Sequence, residues 1–294
     1  MKLKKLLMGI AATALFLGGC AGGSGTATGP ESLAAASMET TQTEKTSGST
    51  TETADGVTIY FARHGKTMLN TVDRSQGWID APLTPAGIEV AEYLGKGLHG
   101  VTFDKVYTST SGRTIETAEL ILANNGQGEM ALNRDKRLRE YNFGTYEGMM
   151  NEEMLAAVAE AEGQTLDEYN EAMAENGFYT SILRFADVLS ELDKKNVEEG
   201  VNWPAEDSKT IVDRLTSALD DIVADAQKEG HDTILVVSHG MSIITLLGAL
   251  DSEAELPATG LSNASISTVS YKDGQYSVDS VNDMTYVENG EKAK

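Results

Sequence analysis

Two stretches decide the fold: Val57-Thr58-Ile59-Tyr60-Phe61-Ala62-Arg63-His64-Gly65 and, far later in the chain, Thr233-Ile234-Leu235-Val236-Val237-Ser238-His239-Gly240. Each opens with a β-branched and aliphatic run too short for a helix, as expected of a strand buried on both faces. Each then passes into His-Gly, where the carboxyl end of a strand becomes a loop. Ligands of parallel sheets gather at that end, so neighbouring strands would bring both imidazoles to one pocket. A glycine after each histidine would let the backbone turn sharply and approach a ligand closely. The other reading is two unrelated core histidines. The remaining two of the four histidines, His99 and His231, fall at the ends of predicted helices and read as surface residues.

Working outward, strands and helices alternate. Thr84-Pro85 supplies an N-cap and a proline at the first helical position, opening a helix to about Leu98. Lys105–Thr108 reads as a second short strand, and Thr114–Ala123 has helical spacing. Ser208–Lys228 is a long amphipathic helix with Ile211, Leu215, Leu219, Ile222 and Val223 on one face. A helix over Ser242–Leu250 follows the second histidine strand. Ala264–Tyr271 and Tyr276–Val281 flank Lys272-Asp273-Gly274-Gln275, a hairpin signal at a sheet edge. The expected fold is α/β: a mostly parallel central sheet with helices on both faces. Residues 151–207 break the alternation, being helix-forming and strongly acidic, with 15 Asp and Glu against three basic residues. They read as a helical insertion, either a cap over the site or a solvated excursion.

The chain has 294 residues, a formal net charge of −22 and one cysteine. A single cysteine excludes an intrachain disulfide and Cys-rich metal sites. The acidity argues against a nucleic-acid partner, which would need a basic face. Lys2, Lys4 and Lys5 precede an apolar run from Leu6 to Leu17, too short for a permanent span but suited to a secretory signal. The run ends in Leu17-Gly18-Gly19-Cys20, which resembles the cleavage box of bacterial lipoproteins; a plain signal peptide or N-terminal anchor is the alternative. That resemblance implies lipidation at Cys20, a signal over 1–20 and an extracytoplasmic protein held to a membrane. Residues 21–55, rich in Thr, Ser, Gly and Ala, read as a disordered tether, leaving a folded domain over 56–287.

A further set of motifs follows in order. Arg63-His64-Gly65-Lys66-Thr67-Met68-Leu69-Asn70 is followed by Gln76-Gly77-Trp78-Ile79-Asp80-Ala81-Pro82-Leu83-Thr84-Pro85. Tyr107-Thr108-Ser109 leads to Arg113 and Thr117-Ala118; Leu138-Arg139-Glu140 leads to Phe143-Gly144 and Tyr146-Glu147-Gly148; Ser238-His239-Gly240 closes the set. Together, over about residues 57–282, they resemble the histidine phosphatase superfamily in its phosphoglycerate mutase-like branch. Ala205-Glu206-Asp207 departs from the Gly-Glu-Ser of many relatives.

The resemblance implies a phosphoryl-transfer site, and elementary chemistry assigns parts to it. A neutral imidazole is a competent nucleophile, so His64 would carry a covalent phosphohistidine. Arg63, Arg113 and His239 would bind the phosphate, with Thr67 and Asn70 adding neutral hydrogen bonds. Glu140 would protonate the leaving alcohol and then activate water. Gln76, Gly77 and Trp78 would form the substrate loop. No cofactor and no metal are implied, and the partner is a small phosphorylated substrate. The expected function is phosphomonoester hydrolysis outside the cytoplasm; a phosphoglycerate mutase-type transferase and a non-catalytic binding module are the alternatives. The charge sharpens this: residues 56–150 hold ten basic against eleven acidic residues, whereas 151–207 carry −12. The acidic cap is therefore expected to disfavour polyanionic esters.

Overall fold

In the strand Thr233–Ser238, Ile234 and Val236 belong to one apolar cluster and Leu235 and Val237 to another. That two-residue alternation divides the core across a six-stranded sheet. The computed structural model describes residues 56–293; the expected signal, Cys20 and the tether 21–55 lie outside the described residues. The strands are β1 (Val57–Arg63), β2 (Lys105–Thr108), β3 (Leu132–Arg134), β4 (Thr233–Ser238), β5 (Ile266–Lys272) and β6 (Gln275–Asp283). Their order is β3-β2-β4-β1-β5-β6. The first four in that order run parallel, and β5 and β6 complete the sheet antiparallel. Asp273 and Gly274 both take positive φ, 53° and 83°, as a tight two-residue hairpin requires.

The described helices are α1 (Met68–Thr71), α2 (Pro85–Gly97), α3 (Gly112–Asn125), α4 (Asn151–Ala161), α5 (Leu166–Asn176), α6 (Phe178–Asp193), α7 (Ser208–Glu229), α8 (Gly240–Leu250) and α9 (Thr285–Lys292). Leu94, Ile121 and Val287 place α2, α3 and α9 on one face of the sheet; Phe185, Leu215 and Ile244 place α6, α7 and α8 on the other. The Thr84 hydroxyl caps α2 by accepting from the Gly87 amide at 3.0 Å. Leu215 and Leu219 are 1% and 0% exposed; truncating either to alanine costs about 2–5 kcal/mol. Residues 151–207 form α4, α5 and α6, and contain no strand.

Two boundaries differ from expectation. Helix α9 carries the fold past 287 to Lys292 and packs on α2, where Gly97 meets the backbone of Tyr286 and Gly290 meets that of Tyr93. Strand β3, three residues at the sheet edge, is an addition. Among the described residues no helix is long and apolar enough to cross a membrane.

Candidate active site

Strands β1 and β4 are parallel neighbours with Arg63 opposite Ser238, so the residues that follow them emerge side by side. The His64 and His239 rings lie 5.3 Å apart at 65°. His64 Nδ1 is 2.8 Å from the carbonyl oxygen of Gly65. A carbonyl only accepts, so Nδ1 carries the proton and Nε2 keeps its lone pair. Burial, then Arg113 and Arg63, holds the His64 pKa well below the ordinary 6.5. The imidazole is neutral and nucleophilic.

Neither glycine after the histidines takes a positive φ, contrary to the sharp turns expected. Gly65 instead gives room to the first turn of α2: a Cβ there would sit 2.6 Å from the Gly87 carbonyl oxygen. Gly240 opens α8, and a Cβ would press on Arg63 Nε at 3.2 Å.

His239 is fully buried, with Nε2 2.8 Å from the Ser109 hydroxyl and Nδ1 without a partner. Burial, followed by Arg113, pushes its pKa well below 6.5, so it is neutral here rather than the cationic donor considered from sequence. Arg63 donates to the Leu261 carbonyl through one terminal nitrogen and keeps Nε free. Arg113, 1% exposed, donates to Asp80 Oδ1 at 3.0 Å and to the carbonyls of Ile79 and Gly77 at 3.1 and 2.8 Å; its Nε also lacks a partner. Burial lowers both guanidinium pKa values, opposed by Glu140 at Arg63 and by Asp80 at Arg113; both stay charged.

Glu140 reaches the site from a loop. His239 precedes α8 without capping it, and the Glu140 carboxylate takes over that task. It accepts the amides of Met241 at 3.0 Å and Ser242 at 2.9 Å, together with the Ser242 hydroxyl at 2.9 Å. Oε2 accepts only from Met241, so lone-pair capacity remains toward the cavity that Glu140 lines.

Other expected site residues are placed differently. Asn70 and Gln76 line the cavity. Thr67 is fully buried away from it: its hydroxyl caps α1 and donates to Gln76 Oε1 at 2.5 Å, so it positions Gln76 rather than facing a phosphate. Gly77 and Trp78 do not line the cavity. Gly77 packs under the Tyr141 carbonyl, where a side chain has no room. Trp78 turns outward between Arg139 and Trp203 and donates from Nε1 to the Glu140 carbonyl at 3.0 Å.

Two positioning residues were not singled out from sequence. The Glu147 carboxylate accepts the amides of Gly77, Trp78, Ile79 and Phe143 at 2.6–3.2 Å, clamping the substrate loop to the acid loop; burial raises its pKa although those amides oppose it. Arg214 of α7 pairs with Glu206 through two contacts, at 2.8 and 2.9 Å, and donates to the carbonyls of Arg137, Arg139 and Glu140. Its signal was a charged residue three positions after Ile211, on the stripe that α7 buries. In Ala205-Glu206-Asp207, Asp207 supplies the α7 N-cap, accepting the Thr210 amide at 2.8 Å. Changing Arg214 to methionine should cost about 3–5 kcal/mol, because Glu206 and three carbonyls lose their partner; urea denaturation measures it.

The cavity holds about 320 Å3. Among the described residues, seven buried side-chain N or O atoms lack a hydrogen-bond partner, and four are Arg63 Nε, Gln76 Nε2, Arg113 Nε and His239 Nδ1. Buried polar groups are rarely left so. A tetrahedral anion beside His64 would give partners to the donors of Arg63 and Gln76, the two of these residues that line the cavity. Among the described residues, no cluster of three or more His, Cys, Asp or Glu could hold a metal ion.

The sequence profile of the histidine phosphatase superfamily, branch 1, matches residues 59–202 and 184–284. The chain belongs to that superfamily. It is similar to a phosphoglycerate mutase from Bacillus anthracis, at 39% identity and a TM-score of 0.72, covering 81% of this chain and 98% of that one. A broad-specificity phosphatase of Saccharomyces cerevisiae is 30% identical over 199 residues, 67% of this chain and 71% of the yeast protein. A 2,3-bisphosphoglycerate-dependent phosphoglycerate mutase of Enterococcus faecalis is 28% identical over 197 residues, 64% and 82% of the two chains. The protein is thus a histidine phosphatase enzyme with both mutase and phosphatase relatives.

For a histidine phosphatase with two buried neutral imidazoles, pH has a definite sign. Below about pH 6.5 the unfolded chain binds protons at these positions while the folded chain does not. Their linkage contribution therefore lowers stability as pH falls from 6.5 toward the folded-state values. Melting should shift downward between pH 7.5 and 5.5, and less in a His239→Asn variant; an equal shift in both would contradict the assignment.

Proposed function

We propose that the protein is an extracytoplasmic phosphomonoesterase, held to a bacterial membrane through lipidated Cys20, that works through a phosphohistidine and needs no metal. The observation that carries the chemistry is the free Nε2 of His64 beside unpaired donors of Arg63, Arg113 and Gln76. Nε2 attacks phosphorus, the P–O bond to the alcohol breaks, and Glu140 gives its proton to the departing oxygen. Glu140 then takes a proton from water, whose oxygen displaces His64 and releases inorganic phosphate. Arg63 on the cavity wall holds the equatorial oxygens, on which charge is spread throughout, and the buried Arg113 adds its positive charge near His64. Two arginines and a proton donor meet the charge demand without a metal, so incubation with EDTA should leave turnover unchanged.

The location rests on Lys2, Lys4, Lys5, the apolar run and Leu17-Gly18-Gly19-Cys20. A Cys20→Ser variant should lose its membrane association; unchanged fractionation would contradict the lipid anchor.

Mutase activity is the second reading, favoured by the similarity to the Bacillus anthracis protein. It returns the phosphoryl group to a bound product. Incubation with 3-phosphoglycerate separates the two: slow release of free phosphate and glycerate with no isomer is expected, and an isomer without phosphate release would make the enzyme a mutase.

A further inference from the structure

The cavity has two ends of different chemistry. At one stand Arg63, His64, Gln76 and Glu140. The other is walled by Phe143 and by the α4–α6 helices: Met154, Met173, Phe178, Ile182 and Phe185. None of the 15 acidic residues of 151–207 lines it. Most of them, such as Glu152, Glu160, Glu171 and Glu191, are exposed, so the acidity of this segment lies on its outside and its inner face is apolar.

Three polar side chains of the lining are engaged elsewhere, while Asn70, Thr259 and the unpaired Nε2 of Gln76 also border the cavity. The Ser75 hydroxyl donates to the Tyr146 carbonyl at 2.8 Å, the Asn151 amide to Asp73 at 2.7 Å, and Arg74 to the Gly148 carbonyl at 2.7 Å. A sugar or an acid lying on the Met154, Met173, Phe178, Ile182 and Phe185 side chains would give up hydrogen bonds to water without replacing them. An apolar group loses nothing there and gains by burial. No lysine lines the cavity, and apart from Arg63 its lining cation is Arg74, exposed at the mouth. A second anionic group on the substrate therefore finds no buried counter-charge along the wall.

We infer that α4–α6 form a leaving-group subsite for an apolar alcohol, so the preferred substrates are phosphomonoesters of compact aromatic or branched aliphatic alcohols. This rests on the phosphomonoesterase reading and names its substrate class. The volume of about 320 Å3 is near the lower end of small-molecule sites, which limits the alcohol to about one or two rings. Charge on the outer face of the cap acts only at long range and is screened by salt, whereas wall contacts are not. Selectivity should therefore survive high ionic strength.

The test is a pair of primary-alcohol esters on one six-membered ring framework, cyclohexylmethyl phosphate and glucose 6-phosphate, with 4-nitrophenyl phosphate as a control, on the full chain. The expected kcat/KM ratio favours cyclohexylmethyl phosphate by about 30-fold or more and is unchanged in 0.5 M salt. In Met173→Gln, which swaps a half-buried wall residue for a polar one of similar length, that ratio should fall about tenfold, chiefly through KM. Hydrolysis of both esters with a ratio near one, or in favour of the sugar, overturns the subsite and leaves the phosphomonoesterase standing. No phosphate from any of the three overturns both.

Discussion

Replacing His64 by alanine should lower phosphate release from a generic aryl phosphate by on the order of 10⁴-fold or more, the scale seen when a covalent nucleophile is removed. The expectation rests on geometry: Nδ1 is fixed as a donor to the Gly65 carbonyl, so Nε2 is the free nitrogen at the cavity. No other group on the wall can replace it. His239 is fully buried behind it with Nε2 against Ser109, and it does not line the cavity. The fold should survive. His64 is neutral in the native state against a gradient set by burial, Arg113 and Arg63, so its removal takes away a group that disfavours folding below about pH 6.5. Steady-state rates and a melting curve at pH 5.5 check both halves. A correctly folded variant that retains more than a few per cent of activity would remove His64 from the chemistry.

Glu140→Gln should be the next most damaging change, lowering hydrolysis of alkyl phosphates by about 10²–10⁴-fold, as for loss of a general acid–base group. Glutamine also disturbs the cap of α8, since an NH2 would replace one oxygen that now accepts the Met241 or Ser242 amide. A rate loss alone would therefore be ambiguous. Leaving-group dependence separates the two roles. The 4-nitrophenolate ion departs without a proton, so rapid mixing of the variant with 4-nitrophenyl phosphate should still give a burst of nitrophenol, followed by slow turnover. Loss of the burst together with turnover would assign Glu140 a structural role only.

The sheet and the residues around the two histidines were legible because their signals are local. β1 and β4 are continuous apolar runs, and Thr84-Pro85 and Asp273-Gly274 mark a helix start and a turn by their own backbone preferences. What was hidden depends on pairing across the chain. α9 is short and polar on average; besides Val287 in the core it is held by glycine-to-backbone approaches, Gly97 to Tyr286 and Gly290 to Tyr93, that leave no trace in hydropathy. β3 is three residues long and exists because β2 offers it an edge.

The same division holds within the site. Arg63, His64 and His239 could be placed from the strands that carry them. Thr67, Gly77 and Trp78 share their motif with cavity residues, yet they serve the loop's internal bonding. Glu147 and Arg214 act on the backbones of other motifs, about seventy residues away in each case, a distance no spacing rule reaches. The net charge of −22 resolves in the same manner. Its largest block lies on α4–α6 and the loops beside them, but the inner face of those helices is Met, Ile and Phe, and a composition cannot say which face a charge takes.

The most direct test of the central claim is to mix the enzyme with 4-nitrophenyl phosphate, quench within milliseconds at alkaline pH, where phosphohistidine persists, and map the digest by mass spectrometry. The account expects one phosphoryl group per chain on the peptide containing His64, absent from the His64→Ala protein and enriched in Glu140→Gln, whose slow step is hydrolysis of the intermediate. Phosphate release by an enzyme that never carries label, or label on any residue other than His64, would contradict it.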